Sequence, residues 1–403
     1  VQASYASGSG STSLVFTYTI TNETDTDGIS VDANALGLNS GALKDVAGNT
    51  ATITSDAVVA NNSYLVDTTA PTASNVTIAS NNATNTLAKS GDIVSLTFTV
   101  SETLAADPTV TIFGEAATIT NDGLDYTASL TLSGDEAQGA ASFAIDFDDA
   151  AGNSATQITA VSGTGASSSV TADFTADAAP TIDLVSADDR INATENTAGF
   201  DLTGTGVNGS TVTVSGFENG IADKTATVTG GVWSIAIVDA DLADDGSNTL
   251  SATQTDAAGN VSDAVTRDIT TDLTAPSTPA TPTIESKPTI ESDVTSNSIN
   301  SSEVAAGLYI KGTGEANATV TLTFTTSSTT LANGNTATVN VIGDWYIPIT
   351  SADISNFGEG SESVTLTQTD VAGNTSSSSS SALVFDVDTV VAGSTFALNT
   401  DSA

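Results

Sequence analysis

The sequence has no cysteine, no histidine and no methionine, and it sets only 7 lysines and arginines against 48 aspartates and glutamates. Without cysteine there are no disulfides, no thiol chemistry and no thiolate metal sites. Without histidine the chain lacks the commonest general base and the commonest transition-metal ligand. Methionine is missing even at residue 1, as in an internal segment of a longer chain. The shortage of bases leaves a net charge of −41. That excludes nucleic-acid binding through a basic patch and opposes docking on anionic lipid. No apolar run approaches the roughly 20 residues of a membrane helix, and there is no signal peptide. Direct membrane insertion is not expected, and export would be directed from outside this segment.

Acid in such excess usually marks disorder. Here 39% of residues are hydrophobic, and they fall in a period of two. Leu14–Ile20, Val94–Val100, Thr211–Ser215 and Val320–Phe324 alternate apolar residues with Thr or Ser, as half-buried strands do. Asp27-Gly28, Asp122-Gly123, Asp245-Gly246 and Asn333-Gly334 punctuate them as turns. Helix signals are weak throughout.

The chain also repeats. Asp-x-Ala-Gly-Asn occurs at Asp45–Asn49, Asp149–Asn153, Asp256–Asn260 and Asp370–Asn374, with the aspartates 104, 107 and 114 residues apart. A period near one hundred in a β-rich chain means tandem sandwich-sized modules. A second signal follows each copy: Asp67 to Pro71, Asp177 to Pro180, Asp272 to Pro276, and Asp388 to Ala392, where the proline is lost. The expected fold is all-β, a row of immunoglobulin-like β-sandwich modules in an extended rod. The modules would span 1–70 (incomplete at its start), 71–179 (a variant), 180–276 and 277–391, with 392–403 opening a next one. Residues 277–290 hold prolines at 279, 282 and 288 and read as a stiff linker running into a first strand.

The third and fourth modules align closely. Asn192 to Glu195 matches Asn300 to Glu303, and Gly204-Thr-Gly206 matches Gly312-Thr-Gly314. Trp233 matches Trp345, Ala240-Asp241-Leu242 matches Ala352-Asp353-Ile354, and Thr253 to Asp256 matches Thr367 to Asp370. The two tryptophans are expected to fill sandwich cores. The second module has none, and Phe98, Phe113, Tyr126, Phe143 and Phe147 would serve instead.

These motifs resemble the bacterial immunoglobulin-like repeats of giant secreted adhesins of Gram-negative bacteria. The resemblance rests on the Asp-Thr-Thr-Ala-Pro module ends, the Asp-x-Ala-Gly-Asn hairpins, the Gly-x-Trp-Ser segment with its following Ala-Asp-Leu, and the Gly-Asp…Phe-Thr-Val-Ser-Glu pattern of the second module. It covers nearly the whole chain. It implies an extracellular stalk, type I secretion, and calcium at or between modules. A Cys-free chain rich in Thr, Ser, Asn and Asp suits the same bacterial cell surface.

If each module takes the chain in at one pole and releases it at the other, acids of neighbouring modules meet at each junction. The first junction would draw on Asp67, Glu102 and Asp149. The second would use Asp92, Asp177 and Asp256, with Asp135 near. The third would use Glu195, Asp241, Asp272 and Asp370, with Asn192 in reserve. Oxygen donors without nitrogen or sulfur suit Ca²⁺, which takes 6–8 oxygens, better than Mg²⁺ with its strict octahedron. The plainer reading of Asp-x-Ala-Gly-Asn is a hairpin turn whose aspartate caps backbone N–H groups while Gly takes φ > 0. The two readings are compatible. Glu23 to Gly28 starts like an EF-hand loop, but Asn34 stands where the bidentate Glu is needed, and no helices flank it.

No nucleophile elbow, phosphate loop or zinc motif is present. Paired carboxylates can hydrolyse glycosides, but acids that recur with a module behave as structural ligands, so no enzyme activity is expected. The leading expectation is a calcium-stiffened stalk that projects a distant binding region for adhesion or biofilm formation, its immediate partners being neighbouring modules of the same longer chain. The alternatives are a glycan- or peptide-binding module, which would need an exposed aromatic or polar cluster that is not repeated, and a self-associating surface-layer or filament subunit.

Overall fold

Alternation decides which face of each strand is buried, and the burial follows it residue by residue. In Ile93–Val100 the side chains of Val94, Leu96, Phe98 and Val100 point inward and Ile93, Ser95, Thr97 and Thr99 outward. In Gly360–Thr369 the same period buries Val364, Leu366 and Gln368. The computed structural model describes residues 1–162, 169–217, 221–242, 245–286, 298–326 and 330–390. The chain forms two compact units, Val1–Ala176 with Ala257–Asn260, and Asp177–Asp256 with the residues from Val261 onward. Among the described residues three hydrophobic cores lie within them, each built from the inner faces of packed β-sheets. The protein is all-β with immunoglobulin-like sandwiches.

The core of the first unit lies under a four-stranded antiparallel sheet, in the order Thr118–Asp122, Asp125–Thr131, Ile93–Val100, Ala73–Ser80. A three-stranded sheet of Phe143–Asp146, Thr109–Ile112 and Glu115–Ala116 closes it. Phe98 stacks on Tyr126 at 5.6 Å, and Phe143 and Phe147 are buried with them, while Phe113 packs on the edge. This is the aromatic set expected where tryptophan is absent.

Residues 1–66 differ. They form two two-stranded ribbons, Ser4–Ser7 with Val15–Thr17 and Ile29–Val31 with Val58–Asn61. Tyr5, Phe16, Ile29, Val31, Val58 and Tyr64 are exposed, and no residue of 1–66 belongs to a described core. A two-stranded ribbon has no second layer against which to bury a face. The strand expected over residues 14–20 is accordingly only three residues long, and Val66 makes an isolated bridge to Asp25 rather than a strand.

In the second unit, Arg190–Ile191, Val265–Thr271, Gly246–Thr255, Thr211–Ser215 and Lys224–Thr227 form a five-stranded sheet. It packs on the pair Phe200–Thr205 and Val232–Ile237. The following sandwich repeats the five-stranded sheet with Ser298–Ile299, Leu383–Val387, Gly360–Thr369, Thr319–Phe324 and Thr336–Thr338. Its opposing sheet holds Thr283–Ser286, Leu308–Thr313 and Asp344–Ile349. Trp233 and Trp345 are both 2% exposed, and their indole N–H groups donate to the carbonyls of Thr205 and Thr313. Gly204 and Gly312 are why the rings fit: a Cβ there would lie 2.7 Å from Trp233 Cζ2 and 2.9 Å from Trp345 Cζ2. Gln254 and Gln368, of the Thr-Gln-Thr-Asp motif, use Nε2 to hold the incoming chain at the carbonyls of Ala178 and Ser277.

Helix is sparse, as expected, and among the described residues it is confined to three short segments, α1 (Ala193–Ala198), α2 (Ser301–Ala306) and α3 (Ser351–Phe357), besides a 3₁₀ turn. Each opens with a capping box, from Asn192 and Glu195, Asn300 and Glu303, and Thr350 and Asp353, which satisfies the first backbone N–H groups on both sides of the cap. No helix among the described residues is long and apolar enough to cross a membrane. The expected opening strand of a next module, around Phe396, lies outside the described residues.

Candidate metal centre at the module junctions

The Asp-x-Ala-Gly-Asn segment folds as a tight turn in which the aspartate binds the backbone ahead of it. Asp149 Oδ1 accepts from the N–H of Ala151 and Asn153 at 2.9 and 2.8 Å, and Asp370 Oδ1 from those of Ala372, Gly373 and Asn374 at 2.9, 2.7 and 2.9 Å. The second carboxylate oxygen of each accepts from the asparagine amide, Asn153 Nδ2 at 2.6 Å and Asn374 Nδ2 at 2.9 Å. Asp45 and Asn49 repeat the pair at 2.8 Å. Gly48, Gly152, Gly259 and Gly373 all have φ between +92° and +100°, where a Cβ is strained. Hydrogen bonds from the asparagine side chain, then from the turn backbone, hold the Asp45 and Asp149 carboxyls below their ordinary values. In these two copies the turn favours the ionised carboxylate.

The linker aspartates have a recurring geometry too. Asp67, Asp173 and Asp272 each receive a backbone N–H two residues on, from Thr69, Thr175 and Thr274. The backbone carbonyl of each accepts from the asparagine of the following turn: Asn153 to Asp67 at 3.1 Å, Asn260 to Asp173 at 2.9 Å, Asn374 to Asp272 at 2.7 Å. In the second case this corrects the sequence reading, which chose Asp177. Asp177 lies four residues further along, and its carboxylate accepts from the Ser210 hydroxyl.

At the first junction three acids meet. Carboxylate oxygens of Asp67, Glu102 and Asp149 all lie within 4.8 Å of one another. Asp149 is fully buried and the other two half-buried. Glu102 arrives from the loop after Ile93–Val100, and Asp149 bridges to Leu104 in the same loop. Three like charges at this spacing repel, and the chain holds them there by hydrogen bonds to Asp149 and Asp67. A hard divalent cation neutralises such a set, with carbonyls and water completing its shell.

At the third junction the corresponding positions are Asp272, Glu315 and Asp370. Burial raises the Glu315 carboxyl, and the neighbouring charges of Asp370 and then Asp272 raise it further. Glu315 was missed in the sequence, although it occupies the position of Glu102, in the loop after the strand Leu308–Thr313. The other acids expected at this junction are engaged elsewhere. Asp241 is a correction: it sits in a 3₁₀ turn, 4% exposed, where its carboxylate takes Lys224 Nζ at 2.6 Å and the Val238 N–H at 2.8 Å. Glu195 Oε2 accepts from the Asn192 N–H as the second arm of the α1 cap.

Of the acids expected at the second junction, Asp92 closes a turn in the first unit, accepting from Asn82 Nδ2 and the Lys89 N–H, both at 2.8 Å. Asp256 belongs to the second unit. The position of Glu102 and Glu315 is held there by Val207, after the strand Phe200–Thr205. The EF-hand-like loop is spent on its own backbone: Asp25 Oδ1 receives the N–H groups of Asp27 and Gly28, and Glu23 Oε2 those of Thr21 and Asn22.

No protein-family model matches the chain, and no curated protein does. Among solved structures, it resembles one reported as giving insight into host cell surface retention of a 1.5-MDa bacterial ice-binding adhesin. Identity is 23%, over 80% of this chain and 100% of that one, with a TM-score of 0.35. A tetra-tandem repeat from the extending region of a large adhesion protein is 21% identical over 87% of this chain and 80% of that one, TM-score 0.26. Fibronectin(III)-like modules of Clostridium thermocellum CbhA are 16% identical over 49% of this chain and 94% of theirs, TM-score 0.29. The likeness is one of fold.

Proposed function

We propose that this chain is a stalk segment of a bacterial cell-surface adhesin, in which calcium bound between modules stiffens the junctions and so projects a distal binding region. The observation that carries the calcium is the approach of Asp67, Glu102 and Asp149 to within 4.8 Å, two acids of one module facing one from the linker before it. The adhesin setting rests on the four Asp-x-Ala-Gly-Asn copies and the module-end motifs. The mechanism is mechanical: β-sandwiches resist extension, and a cation shared by two modules removes hinge freedom. Calcium titration followed by calorimetry and by small-angle scattering tests it. Saturable binding, a raised melting temperature and a narrower range of molecular dimensions are expected. Equal profiles in calcium and in chelator would overturn it.

One observation favours the glycan-binding alternative. On the outer face of the fourth module, Tyr309 and Tyr346 meet edge to face at 5.4 Å, with Tyr346 65% exposed. The third module carries Asp201 and Ser234 on its corresponding strands. Titration with neutral oligosaccharides, read by tyrosine and tryptophan fluorescence, separates the two readings: a response lost in Tyr346→Ala supports the binding module.

A further inference from the structure

The junction between the third and fourth modules is fastened by groups that need no ion. Asn374 spends its whole side-chain amide there: Nδ2 donates to the Asp272 carbonyl at 2.7 Å, and Oδ1 accepts from the Ala193 N–H at 2.9 Å. Asn192 answers from the other side. Its Oδ1 caps α1, accepting from Thr194 and Glu195 N–H, and its Nδ2 donates to the Ala372 carbonyl at 3.1 Å. Asn192 thus binds its own module through Oδ1 and the neighbour through Nδ2, while Asn374 reaches the neighbour with both ends and also holds Asp370 of its own turn through Nδ2. Asn374 is buried, 7% exposed. The bonds join neutral groups, so salt does not screen them as it screens ion pairs. The two amides lie on either side of Gly373, whose absent side chain is part of the fit: a Cβ there would stand 3.1 Å from Asn192 Nδ2.

The first junction has only half of this. Asn153 Nδ2 donates to the Asp67 carbonyl. Among the described residues, no side chain of residues 1–66 donates to the Ala151 carbonyl, and a Cβ on Gly152 would meet nothing within 4 Å. The first junction is also where three carboxylates crowd within 4.8 Å. Within the first unit, Asn82 Nδ2 donates to the Ala258 carbonyl at 2.8 Å, the same donor and acceptor as Asn192 and Ala372, so the pairing recurs.

We propose that Asn192 and Asn374 form a reciprocal lock that keeps the third junction closed without a bound cation, and that the first junction, which has only half the lock, depends on the cation to stay closed. The first clause is independent of the calcium reading; the second rests on it. Cation dependence is then graded along the chain: removing calcium loosens one junction and leaves another standing.

Because the chain has no native cysteine, spin labels can be placed cleanly on the full chain. One pair, Thr225→Cys with Thr336→Cys, spans the third junction. Another, Thr17→Cys with Thr120→Cys, spans the first, and all four positions are exposed. Distance distributions are measured in calcium and in EGTA. The third-junction distribution should keep its width in EGTA, while that of the first should widen at least twofold. Asn192→Asp retains the oxygens that cap α1 but removes the Nδ2 donor, so it opens the lock while leaving the helix start intact. In EGTA it should widen the third-junction distribution at least twofold, and calcium should narrow it again. Asn374→Ala should do the same, with circular dichroism checking the fold. Widening of the third junction in EGTA in the unaltered chain overturns the lock, and so does an unchanged width in Asn192→Asp. If the first junction stays narrow in EGTA while Asn192→Asp widens the third, the lock stands and the cation dependence of the first junction is overturned.

Discussion

The carboxyls of Asp149 and Glu315 are shifted in opposite directions by their surroundings. Asn153 donates to Asp149 and is the first cause of its lowered pKa. A carboxyl with a lowered folded-state pKa contributes stability that is present above its unfolded value, near 3.8, and is lost as pH falls through the folded value. Asn153→Ala is therefore expected to raise the midpoint of acid unfolding, followed by tyrosine fluorescence of the first unit, with the difference from the unaltered chain shrinking only below pH 3.8. Glu315 runs the other way. Its carboxyl is raised above 4.5 by burial and by Asp370 and Asp272. The folded state then binds the proton more tightly than the unfolded one, so stability falls as pH rises from 4.5 through the folded value. Glu315→Gln should melt higher than the unaltered chain at pH 7 in EGTA, and should gain less from added calcium. A purely structural role would lower both melting temperatures together.

Among the elements, the aromatic core and its glycines are legible in the sequence. Trp233 and Trp345 followed from area alone, and the strands from Thr alternation. Gly204 and Gly312 were visible as a repeated motif, but their role needed the ring position: nothing local in Gly-Thr-Gly says that a Cβ would meet an indole. Gly312→Ala forces an overpacked contact at 2.9 Å with Trp345 Cζ2. The expected loss is about 1–3 kcal/mol, read as a lower unfolding midpoint in tryptophan fluorescence. The sequence shows Asn192-x-x-Glu195 and Asn300-x-x-Glu303 as capping-box signatures of short helices, but reading Glu195 as a junction ligand hides the first of them. The same oversight cost Glu195 and Asp241 their expected place, since one carboxylate serves a cap and the other a lysine. The triad of Asp67, Glu102 and Asp149 was legible because loop position in a sandwich fixes which acids meet. Glu315 obeys that logic, but Gly314-Glu315 lies in no motif that marks it. Asp173 was hidden because the carbonyl, not the side chain, makes the junction contact, and every residue has a carbonyl.

For the whole molecule, charge is the dominant long-range term. A net −41 over 403 residues makes the chain repel itself, and monovalent salt relieves that repulsion generally, with a screening length of about 8 Å at physiological strength. A site-bound cation relieves it locally. The two are separable because their concentration dependences differ. Raising NaCl should stabilise the chain gradually and without saturation. Calcium at constant ionic strength should raise the melting temperature along a binding curve that levels off, since stabilisation grows as RT ln(1 + [L]/Kd) and each site adds its own increment. Glu102→Gln isolates one of these increments. Glu102 takes no part in the Asp149 turn, so the variant leaves that hairpin closed and removes one charge from the set of three. In EGTA it should melt at or above the unaltered chain, because a like charge has gone from a crowded site. In calcium it should melt below it, and the midpoint of its calcium curve should move up by tenfold or more. The salt curves of the two proteins should superimpose. If calcium instead acts only as a stronger screening ion, Glu102→Gln will shift both curves equally and the calcium response will not saturate.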